Sequence, residues 1–165
     1  MNDAGIKVWV LTGDKVETSK CIARACNLVG KMSVLFNLTE RSFEDIERKL
    51  AGAKQFQAEG ADLVSVDGTA FTLACTSTTT ETQLLNILSK SRSAIFARLS
   101  PSQKAQITDI ARHRLKAKIL AVGDGYNDTP MLLAADCGVR LVKPGRLSAK
   151  SEKNSDFVIT QFSQL

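Results

Sequence analysis

The run Ile119-Leu120-Ala121-Val122-Gly123-Asp124-Gly125-Tyr126-Asn127-Asp128 constrains this chain more than any other stretch. Four apolar residues enter a Gly-Asp-Gly turn, and a second carboxylate follows four residues after the first. An unbroken apolar run of this length matches a parallel strand covered on both faces. Open parallel sheets gather ligands at the carboxyl ends of their strands, where this run places Asp124 and Asp128. Two carboxylates there suit a hard cation such as Mg²⁺, which takes one or two protein carboxylates and completes its shell with water and phosphate oxygens. Gly123 and Gly125 let the backbone turn tightly and approach a ligand. A turn and helix cap would use the same residue types, but the order of strand, Gly-Asp-Gly and Asn-Asp favours a Mg²⁺-dependent phosphoryl site.

The rest of the chain supplies the elements that such a strand needs. Residues 6–11, 34–36, 94–97, 138–142 and 157–159 read as further strands. Helical periodicity covers about 15–29, 42–50, 81–91, 101–115 and 130–135. The first of these helices carries Cys21, Ile22, Ala25, Cys26 and Val29 on one face, and Asp14 and Glu17 have capping-box spacing. Residues 63–71 are expected to form a β-hairpin about an Asp67-Gly68 turn of type I′. Residues 51–62, 76–80 and 143–155 read as loops, the last holding Pro144, Gly145, Lys143, Arg146, Lys150 and Lys153. Strands alternating with helices give an α/β fold, a doubly wound and mainly parallel sheet with a small hairpin insertion. With 165 residues and no internal repeat, the expectation is one domain over 1–165.

Composition narrows the class. Aromatic residues make up 5% of the chain, so Val, Ile, Leu and Ala must build the core. No apolar run is long enough for a membrane span, and the chain itself reads as soluble. The net charge of +5 is spread along the sequence without a basic stripe or a nucleic-acid module, so no nucleic acid is expected as partner. The cysteines Cys21, Cys26, Cys75 and Cys137 lack C-x-x-C spacing and read as buried reduced thiols.

Three further groups can carry chemistry. Thr12-Gly13-Asp14 ends a strand before a helix, which makes a phosphate-binding corner, although alone it reads first as a cap. Lys104 lies in the first turn of its helix, where it opposes the helix dipole unless an anion compensates it. Its functional reading is a cation that neutralises phosphate and pairs with Asp128; by itself it reads as a solvated lysine. His113, between Arg112 and Arg114 near a helix end, reads as a solvated residue compensating the dipole.

Taken together, Val10-Leu11-Thr12-Gly13-Asp14-Lys15, Ala97-Arg98-Leu99-Ser100-Pro101-Ser102-Gln103-Lys104 and Gly123-Asp124-Gly125-Tyr126-Asn127-Asp128 resemble the phosphorylation domain of P-type ATPases, within the haloacid-dehalogenase-like superfamily. The likeness is strongest to the phospholipid-translocating (flippase) subclass. It extends through residues 5–18, Val66-Asp67-Gly68 and the ending Ser155-Asp156-Phe157-Val158-Ile159-Thr160-Gln161-Phe162. The resemblance implies a Rossmann-like fold and a cytosolic domain of an integral membrane protein, with Mg²⁺ as cofactor and ATP as substrate of the full-length enzyme. It also implies as partners the nucleotide-binding, actuator and transmembrane domains of the ATPase and an accessory flippase subunit. Thr12 and Gly13 would contact the transferring phosphoryl group, while Asp14 and Arg98 would serve the nucleotide. Lys104 would stabilise phosphoryl charge, Asp124 would ligate Mg²⁺, Asn127 would bond the phosphate and Asp128 would hold Lys104.

The departures from the family pattern are equally specific. The family's nucleophile opens an Asp-Lys-Thr-Gly-Thr motif upstream of Thr-Gly-Asp, and these 165 residues contain no such motif. Val64-Ser65-Val66-Asp67-Gly68-Thr69 follows Thr12 and has Ser65 where the nucleophile would stand. The chain therefore reads as the C-terminal part of the domain, inactive alone. Tyr126 and Arg140 stand where small residues are usual, and Thr129-Pro130 is unusual as well. Two other readings accompany this one. A stand-alone phosphatase of the same superfamily needs an aspartate before Thr12, where Asp3 is the sole carboxylate. A non-enzymatic regulatory or binding fragment needs no nucleophile.

Overall fold

Short apolar strands separated by amphipathic helices fold as parallel α/β structure, because a strand can rejoin its sheet in parallel only through a crossover. The structure, a computed structural model, describes residues 5–30, 33–143 and 154–165. The chain divides into two compact units, Met1–Leu99 and Ser100–Leu165.

The first unit runs β1 (Val8–Leu11), α1 (Val16–Ala25), β2 (Leu35–Leu38), α2 (Phe43–Gly52), α3 (Lys54–Glu59), β3 (Leu63–Asp67), α4 (Gly68–Ala74), α5 (Thr78–Lys90) and β4 (Ser93–Ala97). Its four strands are parallel in the order β1-β4-β3-β2. Interior β3 and β4 are buried at every position, whereas the edge strand β1 is half-exposed throughout. Leu38, Ile46, Leu50, Leu63, Val64, Val66, Leu84, Ile87, Leu88 and Ile95 fill the core, as the aliphatic composition predicts. Phe96 adds an aromatic centre, with Trp9 at 5.5 Å and Phe71 edge-on at 5.9 Å between ring centroids. α2 begins at a cap, where the Ser42 hydroxyl accepts the Asp45 N–H.

Five expectations for this unit are corrected. Residues 63–71 form no hairpin: β3 has parallel neighbours on both sides and passes straight into α4. Asp67 caps that helix by accepting the Thr69 N–H at 2.9 Å, and Ala70, Phe71 and Ala74 turn inward at helical spacing. The expected loop at 51–62 holds α3, which stops at Gly60; there φ is +80° and a Cβ would lie 2.5 Å from the Lys90 backbone, so glycine is needed. The polar stretch 76–80 opens α5, capped by Ser77. Finally, α1 buries Val16, Ser19 and Ala23, leaving Cys21 and Cys26 exposed. Its cap position is Lys15, with no side-chain bond, so Asp14 and Glu17 do not form a capping box. Small side chains let α1 sit against β3 and β4, with Ala23 packed among Val29, Leu63 and Ile95.

The second unit runs α6 (Pro101–His113), β5 (Leu120–Gly123), α7 (Thr129–Ala134), β6 (Cys137–Leu141) and β7 (Phe157–Ile159), with 3-10 turns at Tyr126–Asp128 and Phe162–Gln164. Its strands are parallel in the order β5-β6-β7, and α7 packs on β5, β6 and α6. At the start of α6, Ser100 and Gln103 close a reciprocal capping box with Pro101 at the first helical position. His113 sits in its last turn, 3.2 Å from Asp109. β5 corrects the expectation of a strand buried on both faces. It pairs only with β6 among the described residues, and Leu120 is 52% exposed. Asp136 pins its start, accepting the Ile119 N–H at 3.0 Å beside Arg112 at 3.3 Å and Lys118 at 3.4 Å. Arg146, Lys150 and Lys153 lie outside the described residues. Among those described, no helix is long and apolar enough to cross a membrane.

Two outcomes follow from these environments. The Cys75 thiol is pushed up to about 11 by burial and then by Glu81. With a chromogenic disulfide at pH 8, Cys21 and Cys26 should label first, and Cys75 at least roughly tenfold more slowly. The Asp136 carboxyl is held below its ordinary value, first by the Ile119 N–H against some desolvation, then by Arg112 and Lys118. A lowered folded value contributes stability above the unfolded pKa, near about 4, and loses it as pH falls through the folded one. Asp136→Asn should therefore lower the urea midpoint at pH 7 and flatten its decline below about pH 4.

Candidate phosphoryl and cation site

In the second unit the site is assembled by two helix starts and one strand end. The Ser100 box fixes the first turn of α6, and Lys104 leaves it toward the turn after β5. Lys104 Nζ meets Asp128 Oδ1 at 2.7 Å, and both side chains are about nine-tenths buried. The reading of Lys104 as a solvated lysine is thereby corrected; a compensating anion is built in. The second oxygen of Asp128 accepts the Gly125 N–H at 3.3 Å, so the carboxylate closes the turn that carries Asp124. Gly123 permits this approach: a Cβ there would stand 2.5 Å from that of Asp128.

Asp124 and Asn127 project from the same turn and are exposed. Asp124 has no hydrogen bond or ion pair among the described residues, which leaves its carboxylate free for a cation. No cluster of three His, Cys, Asp or Glu side chains suited to a metal occurs among those residues. A single free carboxylate beside solvent fits Mg²⁺, which retains water and phosphate ligands, and lacks the four protein ligands of a structural zinc centre.

In the first unit, Thr12-Gly13-Asp14 follows β1 and lies against the end of β4. The Thr12 carbonyl accepts the Leu99 N–H at 3.0 Å and the Asp14 carbonyl accepts the Arg98 N–H at 2.8 Å. The Thr12 hydroxyl accepts the Asp14 N–H at 3.1 Å, which shapes a corner with Asp14 exposed. Arg98 adopts φ +56°, a conformation that costs roughly 1 kcal/mol or more in a residue with a Cβ. Its guanidinium lies 3.6 Å from Asp67, which Arg41 also grips through two bonds of 3.1 and 3.2 Å.

Two residues of these sites escape sequence reasoning. Asp67, 1% exposed, has both oxygens engaged by the arginines and the Thr69 N–H, which closes it to nucleophilic use. An aspartate ending the largely apolar run Leu63-Val64-Ser65-Val66 was a signal for it. Arg140 is buried in β6 and donates to the Gly125 carbonyl and the Thr129 hydroxyl at 3.0 and 2.7 Å. Its signal was a lone cation inside the apolar run 138–142.

Parallel sheets with helical crossovers and charged residues at the strand ends define a Rossmann-like α/β protein, consistent with the haloacid-dehalogenase-like type. The resemblance carried by the motifs extends along the whole chain, which matches one segment of phospholipid-transporting P-type ATPases. It is 33% identical over 168 residues to the probable phospholipid-transporting ATPase IIB of Mus musculus, with all of this chain and 14% of that protein covered. It is 34% identical over 173 residues to a phospholipid-transporting ATPase of Schizosaccharomyces pombe, again covering all of this chain and 14% of the relative. With the phospholipid-transporting ATPase DRS2 of Saccharomyces cerevisiae the identity is 31% over 173 residues, covering the whole chain and 12% of the relative. The chain thus spans about one seventh or less of the length of these relatives. No protein-family model matches it.

Removing one partner from the Lys104–Asp128 pair leaves a buried charge uncompensated. Lys104→Met should lower unfolding stability by about 3–5 kcal/mol in urea titrations. Asp128→Leu added to it should recover part of that loss, since an apolar pair strands no charge.

Proposed function

We propose that this chain forms part of an ATP-driven phospholipid-translocating ATPase and supplies the Mg²⁺- and phosphate-binding half of its aspartyl-phosphorylation site. The observation that carries the reading is the buried Lys104–Asp128 pair beside the carboxylate of Asp124, which is unpartnered among the described residues. The relatives' names supply the transported class, and the short share of their length supplies the context: the remainder of the ATPase is the partner.

In this reading Asp124 holds Mg²⁺, which when bound neutralises phosphoryl oxygens and fixes their orientation. Asp128 holds the Lys104 ammonium in one place, so that its charge is set before a phosphoryl group arrives. Such preorganised charge is the main lever in phosphoryl transfer, where the protein mostly positions and neutralises. Asn127 bonds the phosphate; in the first unit, taken by itself, Thr12 and Gly13 are the residues that would receive phosphoryl oxygens, and Asp14 and Arg98 those that would serve the nucleotide. The nucleophilic aspartate comes from outside these 165 residues. Among the described residues β1 pairs only with β4 and β5 only with β6. The outer edge of each strand, taken by itself, can accept a strand from the remainder of the ATPase, which the reading places in a membrane with this part on its cytosolic side.

The 165-residue chain incubated with radiolabelled ATP and Mg²⁺ should form no acid-stable phosphoenzyme. Titration with Mg²⁺ alone, followed by NMR, should shift the Asp124 and Gly125 signals in the wild type and leave them in place in Asp124→Asn. Phosphoenzyme formation by the chain alone, or a Mg²⁺ response indifferent to Asp124→Asn, would sink the proposal.

A further inference from the structure

Three positions at which the sequence departs from the family pattern, Tyr126, Thr129 and Arg140, meet in one cluster. Arg140 lies on the middle strand β6, its Cα paired with that of Gly123, so it leaves the sheet beside the turn that carries Asp124. It is 3% exposed. One terminal nitrogen donates to the Gly125 carbonyl at 3.0 Å and the other to the Thr129 hydroxyl at 2.7 Å. The guanidinium carbon lies 5.9 Å from the centroid of the Tyr126 ring. Its third nitrogen, Nε, is buried without a partner among the described residues.

A buried cation normally requires a carboxylate. Arg140 has no carboxylate within ion-pair distance among the described residues, so neutral dipoles and an aromatic face carry its compensation. Those three groups belong to residues 125, 126 and 129, which bracket Asn127 and Asp128. Guanidinium and loop are therefore mutually dependent: unravelling the loop would strand the charge. The planar fork is specific to arginine, since a lysine ammonium cannot span two fixed acceptors and stack on a ring at once.

We propose that Arg140 is a positioning residue for the 124–129 loop, bracing it from beneath so that Asp124 and Asn127 are presented in their working arrangement before any ligand binds. The bracing stands on the geometry alone; its bearing on cation binding rests on the reading of Asp124 as the Mg²⁺ ligand.

The readout is hydrogen exchange of the Asp128 amide in the metal-free 165-residue chain. That N–H is bonded at 3.1 Å to the same Gly125 carbonyl that Arg140 holds. Arg140→Gln and Arg140→Lys should both accelerate its exchange by roughly tenfold or more, the scale of a lost charged hydrogen bond. Thr129→Val and Tyr126→Leu should accelerate it several-fold, by more than any fall in their urea midpoints accounts for, and Tyr126→Phe, which keeps the ring, should leave it as in the wild type. Mg²⁺ titration should show weaker affinity in every variant with accelerated exchange. Asp124→Asn should remove the Mg²⁺ response while leaving Asp128 protected.

Unchanged exchange in Thr129→Val and Tyr126→Leu would overturn the brace, and these two decide the matter should the Arg140 variants fail to fold. Full rescue by Arg140→Lys would overturn it as well. A Mg²⁺ response that survives Asp124→Asn would instead refute the metal assignment, with the exchange rates still deciding the brace.

Discussion

Every strand pair among the described residues is parallel, and the placement of the chemistry depends on that constraint. In a parallel sheet all carboxyl ends lie on one edge, where each chain segment must leave the sheet and enter a crossover. In the first unit that edge carries Thr12-Gly13-Asp14, Asp67 and Arg98; in the second it carries Asp124 and the turn leading to Asp128. The same residues that end strands also start helices, which is why they are so often small, hydroxylated or acidic. Asp67 shows the overlap plainly, being at once the last residue of β3, the cap of α4 and the anchor of two arginines.

The Lys104–Asp128 pair illustrates how charge is made available at such an edge. Burying both groups sacrifices hydration, and their attraction repays this only when the remaining bonds are also made. Here Gly125 supplies one through its N–H, and Gly123 supplies the space. The arrangement is a poor source of stability compared with an apolar pair of the same volume. Its merit is that the lysine cannot wander.

Much of this was legible in the sequence because local and global signals agree. The helical periodicity over 101–115 and the alternation of strands and helices each have one reading in chemical terms. Where the sequence misleads, one residue pattern serves two structures. Asp67-Gly68 suits a type I′ turn and equally a helix cap, and only the parallel neighbours on both sides of β3 decide between them. α1 turns Ser19 and Ala23 inward, since close helix–sheet packing prizes small side chains over hydrophobic ones. Arg140 was invisible as a brace because its partners are a carbonyl, a hydroxyl and a ring, none of which advertises a charge.

The half-exposed strand β1 has a consequence of another kind. Val8-Trp9-Val10-Leu11 is apolar, β-prone and unpaired along one side among the described residues, and no proline or charge interrupts it. Natural sheets blunt such edges with lysine, proline or a bulge, because a bare one templates pairing with other chains. An isolated copy of this protein thus carries its own seed for edge-to-edge aggregation, and its colloidal behaviour hinges on whether that edge is covered.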